Sequence, residues 1–144
     1  MAIIVPDDET TIQAAVDAAG AGGTVLVRAG TYTENVTIID DNITLIALEE
    51  VVLQGTGSSP GIGIEIDNAN GITIIGFEIK GYTMGIKIGE ADYPSNNNKL
   101  IRNRADNNGY NGIWINGNSN KLIRNRADNN EFSSKCSGCH VCRR

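Results

Sequence analysis

One eleven-residue stretch occurs twice without a change. Asn98-Lys99-Leu100-Ile101-Arg102-Asn103-Arg104-Ala105-Asp106-Asn107-Asn108 recurs as Asn120 to Asn130, an offset of 22 residues. Two identical segments this close together need equivalent surroundings, and a chain provides them by coiling successive short segments one above another. An older copy precedes the pair. Gly85-Ile86-Lys87-Ile88-Gly89 matches Gly112-Ile113-Trp114-Ile115-Asn116 at an offset of 27, one period plus a five-residue insertion near Glu90 to Ser95. Earlier still, Asn42-Ile43-Thr44-Leu45-Ile46 is similar to Asn70-Gly71-Ile72-Thr73-Ile74-Ile75.

The segments within each period are short, β-branched and bounded by Asn and Gly. Such runs read as strands, and they are too short and too rich in Gly and Asn for helices. Alternation puts Ile113 and Ile115 on one face and Trp114 on the other. Thr24 to Arg28 and Glu34 to Ile38 read as further strands. The period suits leucine-rich repeats too, but the regular Leu spacing they need is absent. An all-β parallel solenoid of about five turns over residues 1–130 follows, its turns about 4.8 Å apart. Asn fits that coil twice over. It tolerates left-handed corners, and its amide can bond to the Asn one turn away. Ladders are expected at Asn98/Asn120, Asn103/Asn125, Asn107/Asn129 and Asn108/Asn130.

The opening differs. Ile12, Ala15, Val16 and Ala19 have helical spacing, Thr10-Thr11-Ile12-Gln13 is a capping-box pattern, and Gly20 to Gly23 ends the helix. A helix over about 10–20 would cover the open strand edge of the first turn. After Asn130 the alternation stops, and 131–144 reads as a polar, Cys-containing tail.

Thr11 to Ala19 followed by Gly23-Thr24-Val25-Leu26-Val27-Arg28-Ala29-Gly30-Thr31-Tyr32-Thr33-Glu34-Asn35-Val36-Thr37-Ile38 resembles the entry segment of pectin-lyase-like right-handed parallel β-helix proteins. The resemblance covers residues 10–130. It implies three parallel sheets per coil, an extracellular setting, and action on or binding to polysaccharide. The catalytic patterns of such proteins do not carry over. Asp67, Asp92 and Asp106 match a lyase's calcium-binding carboxylates by type alone, and the one His, His140, lies in the tail.

Charge is divided unevenly. Residues 1–98 carry 3 Lys and Arg against 14 Asp and Glu, a balance of −11, whereas 99–144 carry 9 against 3, a balance of +6. The split suggests end-to-end self-association through opposite charges. No apolar run approaches the ~20 residues of a spanning helix, so membrane insertion is not expected. The start, Met1 to Pro6, lacks the basic and long apolar regions of a signal peptide. An acidic balance with few aromatics argues against a nucleic-acid partner.

Three groups carry candidate chemistry. Lys99, Arg102 and Arg104 repeat as Lys121, Arg124 and Arg126, which stacks like charges into a stripe. Arg grips carboxylates bidentately, so Arg102, Arg104, Arg124 and Arg126 form a candidate track for acidic polysaccharide, set against a merely solvated face. Tyr82, Tyr93, Tyr110 and Trp114 form an expected exposed aromatic set, with Trp114 equally a candidate sugar platform or a residue packed beneath the Glu90–Ser95 loop. In the tail, Cys136-Ser137-Gly138-Cys139-His140 matches the attachment pattern of c-type haem, and Cys136, Cys139, His140 and Cys142 equally form a Cys3His set for zinc. Adventitious thiols are the plain alternative. These readings favour a non-catalytic module for polysaccharide or surface binding or assembly. Its rivals are a lyase-like enzyme on acidic polysaccharide and a tail-borne haem or metal site for electron transfer.

Overall fold

In a coiled sheet, alternation sends every second strand residue into a shared interior, and the coil closes only if the corners between strands can be paired as well. The computed structural model describes residues 1–56 and 60–137. They form an all-parallel β-solenoid of about five turns with a single short helix near the N-terminus. In chain order the elements are β1 (Ala2–Val5), α1 (Ile12–Ala19), β2 (Thr24–Val27), β3 (Gly30–Tyr32), β4 (Val36–Ile38), β5 (Thr44–Gln54) and β6 (Ile62–Ile66). There follow β7 (Thr73–Lys80), β8 (Met84–Ile88), β9 (Lys99–Ile101), β10 (Asn111–Asn116), β11 (Lys121–Ile123) and β12 (Phe132–Ser137). One sheet runs β1-β2-β5-β7-β9-β11, with β3 against the second half of β5, and the other runs β4-β6-β8-β10-β12.

Register stacks like on like. Val25, Leu45, Ile74, Leu100 and Leu122 form one interior column. Ile64, Ile86 and Ile113 form a second, and Ile66, Ile88 and Ile115 a third. All of these are buried, and each contributes roughly 1.5–3 kcal/mol of transfer free energy. Ile113 and Ile115 thus point inward as their alternation predicts.

The corners carry left-handed residues in columns. Gly22, Asn42, Gly71, Asn97 and Ser119 all have positive φ and stand just before equivalent positions of β2, β5, β7, β9 and β11. Gly81, Asn107 and Asn129 form another such set. At these stacked corners the residue after the left-handed one turns inward. In the turn of β7 these inward residues are Ile72, Phe77 and Tyr82, all buried; one turn on they are Asn98, Asn103 and Asn108. Each Asn reaches back. The Oδ1 atoms of Asn98, Asn103 and Asn108 accept the N–H of Ile72 at 2.8 Å, Phe77 at 3.0 Å and Tyr82 at 3.1 Å. The pattern repeats a turn later, where Asn120, Asn125 and Asn130 accept from Asn98 at 2.9 Å, Asn103 at 2.9 Å and Asn108 at 2.8 Å. Amide-to-amide rungs join Asn98 to Asn120 at 3.0 Å and Asn103 to Asn125 at 3.2 Å.

Two expectations change. Asn107 and Asn129 form no rung, because they are the left-handed corner residues themselves. Tyr82 is 2% exposed rather than a surface aromatic. It follows left-handed Gly81, so its ring goes inward, and its hydroxyl donates to the Glu34 carbonyl. Burial, then the nearby Glu34 charge, pushes its pKa up to about 12.

The helix covers the first turn as its amphipathic spacing implies, with Ile12, Ala15 and Val16 buried. Thr11 caps it by accepting from Ala14. Gln13 does not complete a capping box. Its amide accepts the Thr37 N–H at 2.6 Å and donates to the Thr37 carbonyl at 3.0 Å, standing in for the strand that β4 lacks on that side. Glu34 meanwhile accepts the N–H groups of Ile12 and Gln13. At the other end β12 pairs in parallel with β10, past Asn130 where alternation stops, since main-chain pairing needs no particular side chain.

Asn103 is fully buried; its Oδ1 accepts from Phe77 at 3.0 Å and its Nδ2 donates to the Ile74 carbonyl at 2.9 Å. Asn103→Ala strands the Phe77 N–H and removes one of the bonds to the Ile74 carbonyl. A loss of about 2–4 kcal/mol is expected, measured as a lower urea midpoint at unchanged slope.

Candidate functional site

Ile75 pairs with Ile101 and Ile101 with Ile123, so the next residues, Gly76, Arg102 and Arg124, share one corner. All three are left-handed, with φ of 83°, 54° and 56°. Glycine bears that conformation freely, whereas in other residues it costs on the order of 1–2 kcal/mol. Arg102 and Arg124 are exposed, and neither enters an ion pair among the described residues. Lys99 and Lys121, opposite each other in β9 and β11, are exposed at the start of the same strands.

Arg104 and Arg126 are placed differently. Isolated bridges align Glu78, Arg104 and Arg126 in a column. Their guanidiniums are half exposed, and both contact Oδ2 of Asp106 at 3.3 Å, a carboxylate only 4% exposed. Asp128 adds a contact to Arg126 at 2.6 Å. The other oxygen of Asp106 accepts the Asp128 N–H at 2.7 Å, which ties the two turns together. The stripe therefore divides into an internally neutralised pair and a free corner pair flanked by lysines.

Trp114 is not part of this surface. It lies in β10, on the other sheet, half-buried in the outward column Thr37, Glu65, Lys87, Trp114. Lys87 beside it binds Glu65 at 3.0 Å and also Glu90. Partial burial lowers the Lys87 pKa, but its bonds to Glu90 and Glu65 outweigh that and raise it overall. Asn116 donates to the Glu90 carbonyl and fastens the inserted loop to β10. Tyr93 on that loop is 59% exposed, and Tyr110 is 44% exposed.

Asp67, Asp92 and Asp106 do not converge: among the described residues no three His, Cys, Asp or Glu stand close enough to hold a metal ion. No helix there is long and apolar enough to cross a membrane. The main chain of Cys136 lies on β12 opposite Ile115, while Cys139, His140 and Cys142 fall outside the described residues, and the haem and zinc readings with them.

Sequence reasoning missed the left-handed geometry of Arg102 and Arg124. Its one trace is the alignment of Gly76 with Arg102 once β7 and β9 are in register. Comparison with protein-family models, curated proteins and solved structures finds no match.

Asp106→Asn leaves an oxygen for the Asp128 N–H and removes the charge between two stacked arginines. A loss of about 1 kcal/mol is expected at low salt, small because both arginines are half exposed. The loss should shrink as salt rises, since screening replaces the carboxylate; denaturation at two salt concentrations measures it.

Proposed function

We propose that the chain is a non-catalytic binding module, akin to the pectin-lyase-like right-handed β-helix proteins, that docks acidic polysaccharide along its Arg102/Arg124 corner. The observation that carries this reading is the left-handed backbone of two exposed, unneutralised arginines at a corner where the preceding turn has Gly76. Folding alone favours glycine there. Backbone strain held at an exposed position points to a use for the side chain.

Arg suits the task because its planar fork meets a carboxylate with two parallel hydrogen bonds. Stacking by one turn sets Arg102 and Arg124 about 4.8 Å apart. Lys99 and Lys121 extend the positive surface along the strands. A polymer with a carboxylate on each sugar can engage two or more of these cations at once, so modest single contacts add through one chain. A neutral polysaccharide offers no partner for them.

The test is titration with polygalacturonate and with a neutral glucan at low salt. Binding of the acidic polymer alone is expected. Arg102→Gly/Arg124→Gly should weaken it at least about tenfold while leaving stability unchanged or higher by about 1 kcal/mol. Equal affinity for both polymers, or full affinity in the glycine variant, would refute the reading.

A further inference from the structure

The outer face of the β1-β2-β5-β7-β9-β11 sheet carries an unbroken aliphatic column. Ile4 pairs with Leu26, Leu26 with Ile46, Ile46 with Ile75, Ile75 with Ile101, and Ile101 with Ile123. Outward strand positions of a sheet with one wet face are ordinarily polar, and here six in succession are not. Each is partly exposed, and Ile123 reaches 41%. Nothing among the described residues covers them.

Charge on both rims of this face changes from acidic to basic along the solenoid. At the C-terminal turns Lys99 and Lys121 stand on the rim where the strands begin, and Arg102 and Arg124 on the rim where they end. At the N-terminal turns the strand-beginning rim has exposed Asp41, and the strand-ending rim has exposed Glu49 and Glu50, with Asp7 already held by Arg28 at 2.8 Å. A two-fold axis along the strand direction, between β5 and β7, lays the face on itself with the solenoid axes antiparallel. It sets β1 over β11, β2 over β9 and β5 over β7. Ile4 then meets Ile123, Leu26 meets Ile101 and Ile46 meets Ile75, while the rim of Arg102 and Arg124 lies along the partner's rim that carries Glu49 and Glu50 one turn further in.

We infer that this face is a docking surface for a second copy of the chain, forming a side-by-side, antiparallel, isologous dimer. The inference shares Arg102 and Arg124 with the polysaccharide reading but does not rest on it, since the aliphatic column carries it. Six strands at ~4.8 Å with both rims give a patch of very roughly 30 by 20 Å. That is smaller than the ~800 Å² per partner of a tight complex, so the dimer is weak and depends on its charges. The end-to-end contact suggested by the overall charge split is not needed for it, and the N-terminal end is covered by α1.

Sedimentation equilibrium of the full chain, with no polysaccharide present, tests the arrangement. A monomer–dimer equilibrium is expected at low salt, weakening about tenfold or more by ~0.5 M NaCl. Glu49→Lys/Glu50→Lys and Arg102→Glu/Arg124→Glu should each be monomeric, because each sets like charges against like. Mixed together they should form a heterodimer, since every rim again meets its opposite, and that recovery also shows that both variants are folded. A wild type that stays monomeric at about 100 μM and low salt, or variants that do not recover on mixing, would overturn the inference. So would a Leu26→Asp variant that dimerises like the wild type.

Discussion

A coil of short strands is limited by its corners rather than by its strands. Ladder pairing looks after the strand amides, but a sharp corner turns backbone N–H and C=O groups away from that ladder and toward an apolar interior, where an unpaired group costs about 1–3 kcal/mol. In this chain the answer is a two-residue unit: a left-handed residue, then an asparagine whose amide reaches back to the preceding turn. The Nδ2 atoms of Asn120, Asn125 and Asn130 complete it by donating to the carbonyls of Ser95, Leu100 and Ala105. The interior is thus polar at its corners and aliphatic along its strands, and among the described residues no buried side-chain N or O lacks a partner.

That unit explains why two turns can be identical. Each asparagine asks only for a main chain one turn back, and every turn supplies one. The turn of β7 has no such amides there: Ile72, Phe77 and Tyr82 fill with bulk the positions later taken by Asn98, Asn103 and Asn108. The same unit also determines the outer surface. Because the corner residue is outside and left-handed, whatever stands there is displayed in a column, and at one corner that column ends in two arginines.

Much of this was legible in the sequence. The repeat gives the period, alternation gives the inward direction of Ile113 and Ile115, and the spacing of Ile12, Ala15 and Val16 gives the covering helix. The division of labour among the asparagines was not legible, because Asn107 and Asn108 are the same residue type and only the phase of the corner separates them. Tyr82 was misplaced for the same reason. The arginine stripe looked uniform because its carboxylate, Asp106, is drawn between Arg104 and Arg126 by turn-to-turn stacking that residue order does not express. The outer aliphatic column was present in the runs Val25-Leu26-Val27, Leu45-Ile46 and Ile74-Ile75, where it reads as part of the core until the strands are given two sides.

The paired corner is tested most directly by hydrogen exchange resolved residue by residue with NMR. The backbone amides of Ile72, Tyr82, Asn98, Asn103 and Asn108 lie outside every strand, yet each donates to an asparagine Oδ1 on the next turn. They are expected to exchange as slowly as strand amides such as those of Ile74 and Ile79. Exchange at the rate of open turns, with the strand amides still protected, would contradict the account.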